Sequence, residues 1–159
     1  MKNIGLLFIA GLMIISCNRT PKQNADFNQG KTSDSNAISE TIKDGVFIHI
    51  TESYNDPHRV LMPLKMATMM ATDKDVLVYM DIHAVELLVK GAKDLNFADF
   101  ESAQSYIKQL LDKKIGVYAC PTCLEAAGFK QEDLLDGIQI AQKDKFFNFT
   151  KGRIVTLDY

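Results

Sequence analysis

The sequence has no glycine-rich phosphate loop. Gly128 and Gly137 stand where helices are expected to end, which leaves no nucleotide cradle. It has no basic excess either: 18 Lys and Arg face 20 Asp and Glu, so nothing offsets repulsion from phosphates and no nucleic-acid partner is expected. Only one Cys-X-X-Cys occurs, Cys120 to Cys123, and no second pair or spaced histidines complete a tetrahedron, so no zinc site is expected. The four prolines are Pro21, Pro57, Pro63 and Pro121. None follows that motif, which removes the later cis-proline that a thioredoxin framework needs. Tryptophan is absent, and this excludes nothing. No apolar run reaches the roughly 20 residues that span a bilayer; the longest uncharged apolar stretch, Ile4 to Ser16, has 13.

That stretch follows the single positive charge of Lys2 and has the size and flanks of a signal-peptide core. Ile14-Ile15-Ser16 before Cys17 resembles the bacterial lipobox. The resemblance implies cleavage after Ser16, a lipid on Cys17, and a lipid-anchored protein of the cell envelope facing the periplasm or the outside. Residues 1–16 are then a leader, and loss of Lys2 leaves a net charge near −3. Residues 17–44 are dominated by Asn, Ser, Thr, Gln and Lys, with no apolar period. Such a segment buries too little surface to offset its ordering entropy. It reads as a flexible tether reaching about 30 Å as a random coil. Residues 45–159 are left as one domain of ordinary size. With Cys17 acylated, Cys120 and Cys123 remain as a single pair in a compartment where disulfides persist.

From Gly45 the texture alternates. Val46 to Thr51, Asp75 to Met80, Ile115 to Ala119, Gly137 to Ile140 and Arg153 to Leu157 read as strands, rich in β-branched residues. Between them lie helical segments: His58 to Thr72, His83 to Lys90, Ser102 to Lys113, Pro121 to Ala127 and Gln142 to Phe149. Asp56 is a plausible N-cap with Pro57 at the first helical position, and Pro63 is expected to kink or delay that helix. The first helix carries Val60, Leu64, Ala67 and Ala71 on one face, and Met62, Met66 and Met69 on another. Two apolar faces predict burial on both sides, the second by an oligomer. Strands separated by helices make βαβ units, hence a mostly parallel five-stranded sheet with helices on both faces.

In such a sheet ligands bind beyond the carboxyl ends of the strands. Three ends carry candidate groups: Thr51, then Asp81 with His83, and Cys120-Pro121-Thr122-Cys123. Cys120 falls where a strand stops, and Pro121 opens a helix. A thiolate there meets unpaired backbone N–H groups and the positive end of a helix dipole, which lowers a thiol pKa from about 8.5. Cys123 lies one turn on, where it could resolve a disulfide or share a transferred sulfur. The bland alternative is a pair of small buried cysteines or an inert disulfide.

The chain here resembles the DsrE/DsrF-like family. The resemblance runs from Gly45 to Tyr159 and rests on three stretches. They are Asp56-Pro57-His58-Arg59 with its Met/Ala-rich helix, Val78-Tyr79-Met80-Asp81, and Gly116-Val117-Tyr118-Ala119-Cys120-Pro121-Thr122-Cys123-Leu124-Glu125-Ala126-Ala127-Gly128. It implies a three-layer α/β/α sandwich, assembly as trimers or hexamers, and a sulfur-carrying cysteine at Cys120, eight residues before Gly128. The family's relay proteins are cytoplasmic and work with dedicated donor and acceptor proteins, whereas this chain is expected outside, and Cys123 is no part of the relay pattern.

Other residues have competing readings. His83 orients or deprotonates a thiol if the second and third strands are neighbours; otherwise it is a surface histidine at a helix start. His58 beside Arg59 could hold an anionic ligand or a sulfur species, and His49 within a strand is expected to be a satisfied core or interface residue. The Met62, Met66, Met69 and Met70 set with two cysteines has soft-metal character, but its helical spacing favours packing, so no metal and no cofactor is expected. The leading function is handling of sulfane sulfur through a persulfide on Cys120, with Cys123 assisting release. Thiol–disulfide exchange by the Cys120–Cys123 couple and a non-catalytic oligomeric binding subunit are the alternatives, so whether the chain is an enzyme stays open.

Overall fold

A computed structural model of the protein describes residues 41–159. The expected leader, the expected lipidation site Cys17 and the expected tether up to residue 40 lie outside the described residues. No helix among the described residues is long and apolar enough to cross a membrane.

Five strands form one sheet: β1 (Gly45–Ile50), β2 (Asp75–Met80), β3 (Gly116–Ala119), β4 (Gln139–Ile140) and β5 (Ile154–Asp158). Their spatial order is β4-β3-β2-β1-β5, and every neighbouring pair is parallel. The expected "mostly parallel" sheet is thus wholly parallel. Four α-helices accompany it: α1 (Pro57–Met70), α2 (Ala103–Asp112), α3 (Pro121–Ala126) and α4 (Lys145–Asn148). Tight helical turns occupy Ala84–Leu88 and Gln131–Asp133.

Alternation along the strands sends successive side chains to opposite faces. One face presents Val46, Ile48, Ile50, Val76, Val78, Met80, Val117 and Ala119, all buried. Against it pack Val60, Leu61, Leu64 and Ala67 of α1, with Ala103, Tyr106, Ile107 and Leu110 of α2. The opposite face is aromatic. Phe146 of α4 lies over it, with ring centroids 5.2 Å from Phe47, 5.0 Å from Tyr79 and 6.5 Å from Tyr118. Helices on both faces of a parallel sheet complete the α/β/α arrangement.

Local chemistry sets the element ends. Asp56 caps α1, its carboxylate accepting from the Arg59 backbone N–H at 3.3 Å, with Pro57 in the first turn. Replacing Asp56 by alanine is expected to lower unfolding free energy by about 1 kcal/mol, read by urea denaturation. The helix starts at Pro57 and continues through Pro63, which is buried, so the delay expected there does not occur. Ser102 caps α2 through the Ser105 N–H, and Gly128 leaves α3 at φ +84°, a conformation glycine adopts without steric cost.

Two helix expectations change. The helix expected over Gln142 to Phe149 is only the single turn Lys145–Asn148, because its hold on the sheet is the aromatic contact of Phe146 rather than an amphipathic stripe. The helix expected from His83 is a tight turn over Ala84–Leu88. The second apolar face of α1, expected to be covered by an oligomer, is open in the single chain: Met69 is 58 % exposed, and Met62 and Met66 are half-buried.

Candidate functional site

The carboxyl ends of β1, β2 and β3 meet because these strands are neighbours. The backbone beyond them is stitched together. Asp81 N–H donates to the Ile50 carbonyl at 3.1 Å, His83 N–H to that of Thr51 at 3.1 Å, and Cys120 N–H to that of Met80 at 3.0 Å.

Cys120 is the residue that caps α3. Its Sγ accepts from the Cys123 backbone N–H at 3.4 Å, and both cysteines are free and partly buried. Tyr79 is the partner that sequence reasoning missed. It pairs in register with Tyr118 on β3, so Cys120, two residues further, shares its face and lies on its diagonal. The Tyr79 hydroxyl therefore lies beside the Cys120 sulfur, near enough to bear on its titration. Burial raises the Cys120 thiol. The hydrogen bonds from Tyr79, the Cys123 backbone, the Cys123 thiol and the Thr122 backbone outweigh it and hold Cys120 below the ordinary thiol range. Burial and the adjacent Cys120 sulfur push Cys123 the other way, upward. Burial, followed by the bond to Cys120, also raises the Tyr79 phenol, so it keeps its proton and remains a donor. The cluster therefore favours one thiolate, on Cys120, beside one thiol and one phenol.

Behind Tyr79 lies a second layer. The His49 ring stacks on it at 5.2 Å with 20° between planes. His49 Nε2 sits 2.9 Å from Asp81 Oδ1, and Nδ1 sits 2.6 Å from Asp158 Oδ1. This satisfies the histidine and anchors Asp81, whose charge also contributes to the upward shifts of the Cys123 thiol and the Tyr79 phenol.

Ile82 forms the lip. It is a β-branched residue at φ +47° with its side chain 53 % exposed. Such a backbone costs about 1–2 kcal/mol for an L-residue, and strain of this kind collects at functional sites. Here it brings the Ile82 backbone beside Cys123, where it partly offsets the upward push on that thiol. A groove of about 400 Å³ opens beside Cys123, lined by Ile82, His83, Glu86, Cys123, Ala126 and Ala127.

The other sequence candidates take separate places. His83 lines this groove with its side chain 64 % exposed, 3.9 Å from Glu86, and lies among the groove residues rather than at the Cys120 sulfur. Thr51 donates its hydroxyl to the Tyr159 carbonyl at 3.0 Å. His58 packs between Phe97 and Phe100, with centroids 5.8 and 5.5 Å away, apart from the cysteines. Among the described residues no cluster of three His, Cys, Asp or Glu is placed to hold a metal ion.

Known proteins share this fold. The YchN protein of E. coli superposes with a TM-score of 0.58 at 18% identity, over 72% of this chain and 99% of its own. MTH1491 of Methanobacterium thermoautotrophicum, a protein of unknown function, gives 0.51 at 19% identity, over 71% of this chain and 98% of its own. BT1422 of Bacteroides thetaiotaomicron, likewise of unknown function, gives 0.50 at 18% identity, over 72% and 95%. No curated protein sequence matches the chain. The sequence profile described as the DsrE/DsrF-like family matches residues 44–153, which span the whole sheet up to the start of β5. The chain belongs to the DsrE/DsrF-like family.

Proposed function

We propose that this protein carries sulfane sulfur as a persulfide on Cys120. One observation supports this above the rest: the Cys120 sulfur caps α3, accepting from the Cys123 backbone N–H at 3.4 Å, with the Tyr79 hydroxyl and the Thr122 backbone near enough to lower its pKa further. Donors aimed at the charged form keep a thiolate available near neutral pH, and the thiolate is the nucleophile that takes sulfur from a donor. The phenol and N–H groups can equally hold the terminal sulfur of a persulfide anion. Membership in the family supports the reading at the level of fold. In this proposal the chain is lipidated on Cys17, acts in the cell envelope as a trimer or hexamer, and receives and delivers sulfur through partner proteins.

Full-length protein incubated with a persulfide donor is expected to gain about 32 Da on the peptide containing Cys120. Cys120→Ser should abolish the gain. A wild-type protein that gains nothing, or a serine variant that gains as much, overturns the reading.

A second reading has its own observation: Cys120 and Cys123 lie one helical turn apart and in hydrogen-bond contact, which suits a thiol–disulfide couple. Insulin reduction and a measured reduction potential distinguish it. The binding-subunit reading rests on the half-open Met62, Met66 and Met69 face of α1 and predicts that Cys120→Ser leaves the phenotype intact.

A further inference from the structure

Cys123 is not a spectator of the Cys120 sulfur. Its backbone N–H donates to that sulfur at 3.4 Å, and its thiol, one helical turn along, is near enough to lower the Cys120 pKa. The left-handed Ile82, in the loop after β2, shares the groove with it and brings its backbone near enough to temper the Cys123 pKa. And it, rather than Cys120, lines the groove with His83, Glu86, Ala126 and Ala127. Cys120 is approached by the Tyr79 hydroxyl from the aromatic face and by Cys123 from α3. An inner sulfur with its outgoing sulfur near the phenol and a thiol at another side has the makings of a displacement.

We propose that Cys123 discharges the persulfide reductively: it displaces the terminal sulfur of Cys120 as hydrosulfide and closes a Cys120–Cys123 disulfide, which a low-molecular-weight thiol in the adjoining groove reopens. This rests on the persulfide reading above. In the first step Cys123 Sγ gives up its proton and forms a bond to Cys120 Sγ, and the bond from Cys120 Sγ to the terminal sulfur breaks. The electron pair leaves with that sulfur, which takes the proton and departs as HS⁻. The sulfane sulfur gains two electrons and the two cysteines lose them. In the second step one external thiolate attacks Cys123, the sulfur exposed in the groove, and frees Cys120. A second thiolate then attacks the mixed disulfide, so two thiols become one external disulfide and both cysteines regain their protons. Positions three apart on a helix place Cβ atoms about 5–6 Å apart, so the bond needs some closure of the first turn, as Cys-X-X-Cys couples commonly achieve. The Cys123 thiol supplies the proton that the leaving sulfide takes as the new bond forms.

The test loads purified full-length protein with inorganic polysulfide, removes the excess without oxygen, and follows sulfide by methylene blue and the Cys120–Cys123 peptide by mass. The wild type is expected to release about one sulfide per loaded chain and to end about 2 Da below its reduced mass. Cys123→Ser and Cys123→Ala are expected to keep the added mass of about 32 Da and release sulfide at least about tenfold more slowly. A wild type that holds its persulfide as long as both variants, or frees sulfide with both cysteines reduced, overturns the discharge step while leaving the carrier reading intact. A wild type that never gains the mass overturns both.

Discussion

Tyr79→Phe is expected to move the alkylation profile of Cys120 upward by about 1–2 pH units. A hydrogen bond to a charged group contributes about 1.5–3 kcal/mol, and one pKa unit corresponds to about 1.4 kcal/mol. The sign follows from which form the bond favours. The Tyr79 hydroxyl donates to the thiolate, so its removal favours the neutral thiol and raises the Cys120 pKa. Alkylation by iodoacetamide tracks the thiolate fraction, so at neutral pH the variant should react about 10–100-fold more slowly and recover at alkaline pH. The ring stays in place between His49 and Phe146, so the fold should be spared. An unchanged profile would mean that the backbone donors of α3 act alone. The same linkage bears on stability. A depressed folded-state pKa contributes stability that is fully present above the unfolded thiol pKa and is lost as pH falls through the folded value. The wild type should therefore lose this increment on acidification from the alkaline side, and Tyr79→Phe should lose it at higher pH.

The second large effect is on the fold. Leu64 is fully buried where α1 meets the sheet face built by Ile48, Ile50, Val78 and Met80. Leu64→Ala removes about three methylene equivalents and leaves a cavity in a parallel sheet that closes poorly around it. The expected cost is about 2–5 kcal/mol, which lowers Tm by about 8–20 °C in a domain of this size. Met69, on the same helix but 58 % exposed, supplies the control: Met69→Ala should change stability by less than about 0.5 kcal/mol. Similar losses at both positions in calorimetry would place Met69 in a buried contact with a second copy, since exposure in the single chain cannot produce them.

Much of the fold was legible from local patterns. The β-branched run from Asp75 to Met80 has the bounds expected of it, and the Asp56-Pro57 signal marks the start of α1. Both depend on residues a few positions apart, where periodicity and capping operate. The Gln142 to Phe149 segment shows where such patterns fail. Its helical composition survives as one turn, because Phe146 is drawn onto Phe47 and Tyr79, residues about 70–100 positions earlier in the chain.

The candidate site divides in the same way. The amino-acid sequence by itself determined that a cysteine stands at the end of β3 with Pro121 opening the next helix, that a second cysteine follows one turn later, and that the chain is of the DsrE/DsrF-like kind. Only the tertiary structure decided what surrounds those sulfurs. The order β4-β3-β2-β1-β5 sets β2 beside β3 and so brings Tyr79 to Cys120. The pairing of β1 with β2 and β5 closes Asp81, His49 and Asp158 into one row. Ile82 takes a left-handed backbone that its branched side chain disfavours, and the surrounding turn holds it there. Strand order and register come from long-range packing of whole faces, which no short window of sequence contains, whereas caps and strand ends come from neighbours along the chain.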